Sequence, residues 1–263
     1  MRELPVVHAL GLIPEPHEVP LNLRRLDGSE DTAWVAIAEG PTGDQLWEAR
    51  PCPPGWRYFP ETLTTPLPSY LRHQSLAYWF EHLPGEQAVY FQFNMVRDDP
   101  AEDLEAFTAR LFDVIEDQSV NKLVIDLRWN NGGNTFLEMP LLHRIIGSRV
   151  NRPGRLFVII GRRTFSAAQN FASMLERHTE AIFVGEPTGA SPNFVGENIN
   201  IELPYSKLGM NVSDLYWQSS WPTDYRTWIA PLLYLPPTFA AFRENRDPAL
   251  QAIMSLSEHL PGW

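Results

Sequence analysis

Short apolar runs alternate with amphipathic segments from about residue 75 towards the C-terminus. The runs predict buried strands, since each spans a few consecutive apolar residues and ends in a polar turn. They cover residues 88–93, 122–127, 156–160 and 181–184. Apolar side chains at helical spacing between them predict helices over residues 101–116, 136–146 and 166–175. This alternation predicts an α/β domain with a mainly parallel sheet that is buried on both faces.

The N-terminal part of the chain follows a different pattern. Alternating segments at residues 19–26 and 32–38 flank Asp27-Gly28-Ser29, a strong signal for a β-hairpin. Residues 40–70 are rich in proline, glycine and aromatic side chains. We therefore expect a small β-rich subdomain and linker at residues 1–70, followed by a core domain at residues 71–263.

Composition narrows the classes of function. The 263 residues carry a formal net charge of -11, without a lysine or arginine cluster that would indicate a nucleic-acid partner. Cys52 is the single cysteine, which excludes an intrachain disulfide and a zinc site built on cysteine pairs. We expect no metal and no cofactor. The sequence has no run of about 18 apolar residues, so we expect no membrane span. The N-terminus lacks an apolar signal segment, so we expect a cytoplasmic protein unless an N-terminal export segment is missing from this chain.

Three polar segments follow predicted strands, at residues 128–133, 161–166 and 185–193. Ligands of parallel sheets gather at the carboxyl ends of the strands, so these segments are candidates for a site. Gly132 and Gly133 would allow a ligand to approach the backbone, and their N–H groups could stabilise a negative oxygen. Ser166 would open a helix, either as an exposed nucleophile or as an ordinary N-cap serine.

Together the three segments resemble the motifs of the S41 peptidases. This family includes the tail-specific or C-terminal processing peptidases, and its core is similar to those of tricorn and of interphotoreceptor retinoid-binding protein. Asp126-Leu127-Arg128-x-Asn130-x-Gly132-Gly133 is similar to the signature D-L-R-x-N-x-G-G. Thr164-Phe165-Ser166-Ala167-Ala168 resembles the nucleophile segment, and Gly185-Glu186-Pro187-Thr188-Gly189 resembles G-E-x-T-x-G. Their order and spacing agree over residues 75–260.

The resemblance implies a ClpP/crotonase-like core and acyl transfer from a peptide or protein substrate to water. Residues 18–39 would be the last strands of an incomplete β module before the core. Ser166 would attack the peptide carbonyl, while backbone N–H groups of Gly132 or Gly133 and of Ala167 hold the oxyanion. Asn130 would brace the loop or contact substrate, and Asn193 would contact substrate. The oligomeric state stays open.

The general base departs from the family pattern. In the processing-peptidase branch a lysine follows the nucleophile by about 25 residues, but Ser191 occupies that position and no lysine occurs between Lys122 and Lys207. The tricorn-like branch takes its histidine from an N-terminal helical segment that we do not find here. We therefore name four candidate base or orienting residues: His143, His73, Glu197 and Ser191.

Two other functions stay open from the sequence. One is a catalytically impaired S41-like protein that binds a peptide or small ligand. The other is crotonase-like acyl-CoA chemistry, which shares the fold. We place it last because all three motifs are similar to those of S41 peptidases, and a fold alone does not specify function.

Overall fold

The structure, a computed structural model, describes residues 4–25, 27–36, 57–116, 119–205 and 207–256. Cys52 and the other residues of 37–56 lie outside the described ranges. The chain divides into two compact units, Met1–Trp56 and Arg57–Trp263. Residues 57–70, which we expected in the first domain, therefore fall in the second unit.

The first unit contains helix α1 (Leu4–Ala9) and a hairpin of β1 (Glu18–Arg24) and β2 (Glu30–Ala36). The turn forms where Asp27-Gly28-Ser29 predicts it. Gly28 has a φ of 84°, in the left-handed region that glycine adopts most easily. The Asp27 carboxylate accepts a hydrogen bond from the Ser29 N–H at 2.9 Å. The expected hairpin is thereby confirmed.

The second unit contains the remaining described helices and strands. The helices are α2 (Leu104–Ile115), α3 (Met139–Gly147), α4 (Ala167–His178), α5 (Phe239–Arg243) and α6 (Pro248–Ser255). The strands are β3 (Tyr78–Leu83), β4 (Ala88–Phe93), β5 (Lys122–Asp126), β6 (Leu156–Ile160), β7 (Ile182–Gly185), β8 (Asn193–Gly196), β9 (Ile199–Glu202), β10 (Gly209–Val212), β11 (Leu215–Gln218) and β12 (Leu233–Tyr234).

A six-stranded sheet organises this unit, in the order β12-β7-β6-β5-β4-β3. Every neighbouring pair is parallel except β3 with β4, which are antiparallel. Strands β5, β6 and β7 are neighbours, as their continuous apolar runs predict. The expected α/β class with a mainly parallel sheet is confirmed.

Both faces of the sheet are covered, which explains the unbroken apolar strands. Alternate residues of β5 point to opposite faces, with Leu123 and Ile125 in one core cluster and Val124 in the other. The first cluster includes buried side chains of α2, α3 and α4. The second includes Ala249 and Ile253 of α6. Helices α2, α3 and α4 therefore pack on one face of the sheet, and helix α6 packs on the other.

Two antiparallel ribbons, β8 with β11 and β9 with β10, lie outside the main sheet. The two later runs at residues 198–203 and 207–212 predict the second ribbon, but no pattern in the sequence predicts the first. The helix expected at residues 136–146 begins as a 3-10 turn (Thr135–Glu138) and continues as α3. No helix in the described ranges has both the length and the apolar character needed to cross a membrane.

Residues 57–70 pack on the core of their own unit. The Tyr70 carbonyl accepts hydrogen bonds from Trp129 Nε1 at 2.8 Å and from Gln92 Nε2 at 3.3 Å. Phe59 stacks on Phe242 with 6.0 Å between the ring centroids. This segment consequently supports the loop after β5.

Candidate active site

The three polar segments found in the sequence meet around Thr164. The Thr164 hydroxyl donates to the Leu127 carbonyl at 2.9 Å and accepts the Gly161 N–H at 3.1 Å. The Gly189 N–H donates to the Thr164 carbonyl at 2.9 Å. Thr164 is fully buried. The loops that follow β5, β6 and β7 are thus joined at one edge of the sheet.

Ser166 has a strained backbone at the start of α4. Its φ is 54° and its ψ is -126°, outside the conformations that non-glycine residues usually adopt. Such conformations cost about 1–3 kcal/mol and persist only when the surroundings impose them. Here the Phe165 N–H donates to the Asn130 carbonyl at 3.1 Å, and the Asn170 N–H donates to the Ser166 carbonyl at 3.0 Å. The turn is therefore fixed from both sides of Ser166.

Ser166 occupies the N-cap position of α4, but its side chain does not cap the helix. A serine that caps a helix has an extended backbone, and its hydroxyl accepts a hydrogen bond from the first turn of the helix. The Ser166 side chain makes no such bond. Asp103 and Asp247, by contrast, cap α2 and α6 by accepting N–H groups of the first turn. Ser166 is half-buried, and its hydroxyl hydrogen-bonds to none of the described residues.

Gly132 lies directly against Ser166, as the paired motifs predict. A Cβ at Gly132 would lie 2.6 Å from the Ser166 Cβ and 3.0 Å from its Oγ. It would also lie 3.0 Å from the Ala167 nitrogen. The φ of Gly132 is 113°, which other residues rarely adopt. Only glycine fits this position.

Of the two glycines, Gly133 has the free N–H. The Gly132 N–H already donates to Asn130 Oδ1 at 2.9 Å, so it is not available to an oxyanion. Of the two N–H groups that the sequence offered for this role, only that of Gly133 fits. Within the described ranges, no residue accepts the N–H of Gly133 or of Ala167. Gly133 is exposed, whereas Gly132 is buried.

Main-chain contacts fix the glycine loop. The Val96 N–H donates to the Gly132 carbonyl at 2.9 Å, and the Asn134 N–H donates to the Val96 carbonyl at 2.7 Å. A Cβ on Gly133 would lie only 2.0 Å from the Val96 oxygen. The loop is therefore held against the segment that follows β4.

A buried ionic cluster anchors the start of the same loop. Arg128 pairs with Asp126 at 2.9 Å and with Asp247 at 2.7 Å. Burial opposes the charged form of Arg128, but the two carboxylates outweigh it and raise the pKa of the guanidinium well above its usual value. The Tyr90 hydroxyl donates to Asp126 at 2.6 Å. Asp126 and Arg128 thus brace the loop.

The two asparagines named as substrate contacts are engaged within the protein. Asn130 is fully buried and holds the Gly132 N–H. Asn193 donates to the Trp221 carbonyl at 2.7 Å and accepts the Ser220 N–H at 2.8 Å. Both amides brace loops, and their role as substrate contacts stays a prediction.

Two of the candidate bases are histidines that lie exposed on the surface. His143 is on α3 and lines a cavity of about 250 Å³ with Glu116 and Arg144. His73 lies edge-on to the Trp79 ring, with 4.9 Å between the ring centroids. Among the residues that the structure describes, neither histidine forms a hydrogen bond with Ser166.

The other two candidate bases also lack a described contact with Ser166. Glu197 is exposed and has a φ of 55°, beside the end of β8. The Ser191 hydroxyl donates to the Thr227 carbonyl at 3.2 Å. None of the four candidates therefore stands ready to take the Ser166 proton in this conformation.

Sequence reasoning missed a set of polar side chains beside the site: Thr135, Glu138, Asn170 and Ser219. Asn170 could have been found from its spacing, since it lies four residues after Ser166 on the same helix. Glu138 gave no signal, because an acidic residue near the start of a helix is ordinary.

Comparison with known proteins supports the fold. No known family profile matches this sequence. A serine-to-alanine variant of CPAF matches with a TM-score of 0.51 at 11% identity, over 90% of this chain and 66% of that one. A protein from Parabacteroides merdae ATCC 43184, assigned as a peptidase, matches with a TM-score of 0.50 at 16% identity. That match covers 67% of this chain and 62% of the other.

The core therefore has the fold of S41-type peptidases, as the sequence motifs predict. At such low identity the likeness establishes the fold and not the chemistry. The chain spans less than two thirds of the length of these solved structures, at 62% and 66%.

Proposed function

We propose that this chain is a serine hydrolase of the S41 peptidase type that cleaves peptide bonds through an acyl-enzyme on Ser166. The observation that carries the proposal is the backbone of Ser166, with φ 54° and ψ -126°, directly against Gly132. Backbone strain of this kind concentrates at functional sites. An ordinary structural serine would need neither the strain nor the contact.

Every step of the proposed reaction has a candidate group among the described residues, except the removal of the Ser166 proton by a base. The Ser166 oxygen bonds to the peptide carbonyl carbon, and the carbonyl electron pair moves to the oxygen. The N–H groups of Gly133 and Ala167 hold that negative oxygen, and one such donor is worth about 10²–10³ in rate. Collapse breaks the C–N bond, and the amine leaves with the proton that the Ser166 hydroxyl gave up. Water then hydrolyses the ester, which releases the acyl group as a carboxylic acid and restores the Ser166 hydroxyl.

A second function is favoured by one specific observation. The Ser166 hydroxyl makes no hydrogen bond within the described ranges, so no base is in place to take its proton. General-base help is typically worth about 10²–10⁴ in rate, and an unassisted serine is a weak nucleophile. The second candidate is thus an S41-like protein that binds peptides and turns them over slowly or not at all.

Peptide turnover and peptide binding, measured on the same library, separate the two functions. For the hydrolase we expect turnover by the parent, loss of turnover in Ser166→Ala, and binding in both. For the binding protein we expect equal binding in both and no difference in turnover. If the parent neither binds nor cleaves any peptide of a broad library, both proposals are wrong.

A further inference from the structure

A one-directional chain of hydrogen bonds runs through four side chains beside Ser166. The Ser219 hydroxyl donates to Asn170 Oδ1 at 2.8 Å, and Asn170 Nδ2 donates to the Thr135 hydroxyl at 2.9 Å. The Thr135 hydroxyl in turn donates to Glu138 Oε1 at 3.2 Å. The two middle side chains each accept one bond and donate the next, so the chain runs from Ser219 to Glu138. We call it the Ser219–Glu138 chain.

The middle of this chain joins the two halves of the candidate site. Asn170 lies on α4, and its backbone N–H is bonded to the Ser166 carbonyl at 3.0 Å. Thr135 lies two residues after Gly133, whose N–H is one of the two proposed oxyanion donors. The bond between Asn170 and Thr135 therefore links the nucleophile helix to the oxyanion loop.

Glu138 ends the chain inside the protein. Its side chain is 0% exposed, and Asn170 is 2% exposed. Burial raises the pKa of Glu138 well above its ordinary value, and the hydrogen bond from Thr135 opposes this only in part. Its Oε2 atom has no partner among the described residues. A buried oxygen without a partner costs stability. Among the described residues, the hydrogen bond from Thr135 is the one polar contact that offsets the burial of this carboxyl group.

We propose that Thr135, Asn170 and Glu138 are positioning residues, which fix the distance between the Gly133 N–H and the Ser166 hydroxyl. Their catalytic effect rests on the hydrolase function proposed above. An oxyanion donor acts only about 3 Å from the oxygen it stabilises. A displacement of about 1 Å can cost about 10²-fold in rate. When the Ser219–Glu138 chain is interrupted, we expect that distance to vary more while the fold is retained.

Thr135→Val is the first test, because valine keeps the shape of threonine and removes both hydrogen bonds. We expect the rate constant for Ser166 labelling by a fluorophosphonate to fall about 10- to 100-fold. The loss should appear in the bond-forming step and not in probe binding. Thr108→Val is the matched control. Thr108 is a buried threonine on α2 whose hydroxyl, among the described residues, bonds only the Leu104 carbonyl, at 2.7 Å. Its exchange should leave labelling unchanged.

Two variants of Glu138 separate an acceptor role from a packing role. Glu138→Gln keeps the length of the side chain and an acceptor oxygen, so labelling should stay close to the parent rate. Glu138→Leu keeps the bulk without the acceptor and should behave like Thr135→Val. If glutamine and leucine lower labelling equally, or if neither does, the proposed role of Glu138 is wrong.

Amide hydrogen exchange tests the link without any need for activity. In Thr135→Val we expect faster exchange at both residues 132–136 and residues 166–170, and no such change in Thr108→Val. If the parent is not labelled but this coupled change occurs, the hydrolase function fails and the positioning link stands. If the parent is labelled, and Thr135→Val has the same labelling rate constant and the same amide exchange rates as the parent, the inference is overturned.

Discussion

Gly132 brings the nucleophile segment and the oxyanion loop together at a distance no other residue permits. Its φ of 113° already disfavours any side chain. A Cβ at this position would also clash directly with the Ser166 Cβ, at a separation of 2.6 Å. Neither segment can shift freely. The Thr164 hydroxyl holds the nucleophile segment to the Leu127 carbonyl just after β5, and the Val96 N–H, after β4, holds the Gly132 carbonyl.

The substitution Gly132→Ala should therefore impair the site more than the fold. We expect the rate of Ser166 labelling to fall about 100-fold, since the new methyl group displaces Ser166. The free energy of unfolding should fall by about 1–3 kcal/mol because of the backbone strain. Gly147→Ala is the control, since nothing lies within 4 Å of a Cβ there. Labelling of Gly132→Ala at the parent rate would contradict the contact.

At the scale of single residues, the sequence predicted Ser166, Gly132 and Gly133 as a group, because each lies in a motif at a strand end. It could not decide between a nucleophile and an N-cap at Ser166. That decision depends on φ and ψ, which neighbouring loops impose. Glu138 was not predictable either, since its burial comes from packing and not from local pattern.

At the scale of elements, strand β5 holds helix α6 at both ends. The Lys122 ammonium, at the start of β5, donates to the Ile253 carbonyl at 3.1 Å and the Leu256 carbonyl at 2.6 Å. Arg128, just after β5, pairs with Asp247 at the N-terminus of α6. The C-terminal helix is thereby tied to the strand that carries the oxyanion loop.

The substitution Asp247→Asn tests this connection. Asparagine retains the helix cap but loses the charge that faces Arg128. We expect the free energy of unfolding to fall by about 1.5–3 kcal/mol, the range for hydrogen bonds to charged groups. Urea unfolding with an unchanged slope would measure it.

Asp103→Asn is the matched control for that prediction. Asp103 caps α2 by accepting the Ala106 N–H at 2.7 Å, but it is exposed and has no buried arginine partner among the described residues. The exchange should change stability by less than about 0.5 kcal/mol. Equal losses in Asp247→Asn and Asp103→Asn would show that the pair with Arg128 contributes nothing.

The elements were predicted unevenly. Strands β4, β5, β6 and β7 of the main sheet were found because continuous apolar runs have no other stable place than a sheet covered on both faces. The two-residue strand β12 was not predicted. The ribbon of β8 and β11 was missed. Strand β8 has only Phe194 and Val195 between an asparagine and a glycine, so it carries no clear alternation.

At the scale of the whole molecule, the described residues include the proposed nucleophile and the two proposed oxyanion donors but no base in contact with them. Under the proposed function, the net charge of -11 favours neutral or cationic peptides over acidic ones as substrates. The fold shared with S41-type peptidases sets where these groups lie. It does not determine whether Ser166 reacts.

The most direct test of the central claim is to locate the serine that a fluorophosphonate modifies. The folded protein would be treated with the probe, digested, and analysed by mass spectrometry. We predict a single modification on Ser166 that is absent from the Ser166→Ala variant and from the denatured parent. Absence of label on Ser166 in the folded parent, or equal labelling after denaturation, would contradict its role as an activated nucleophile.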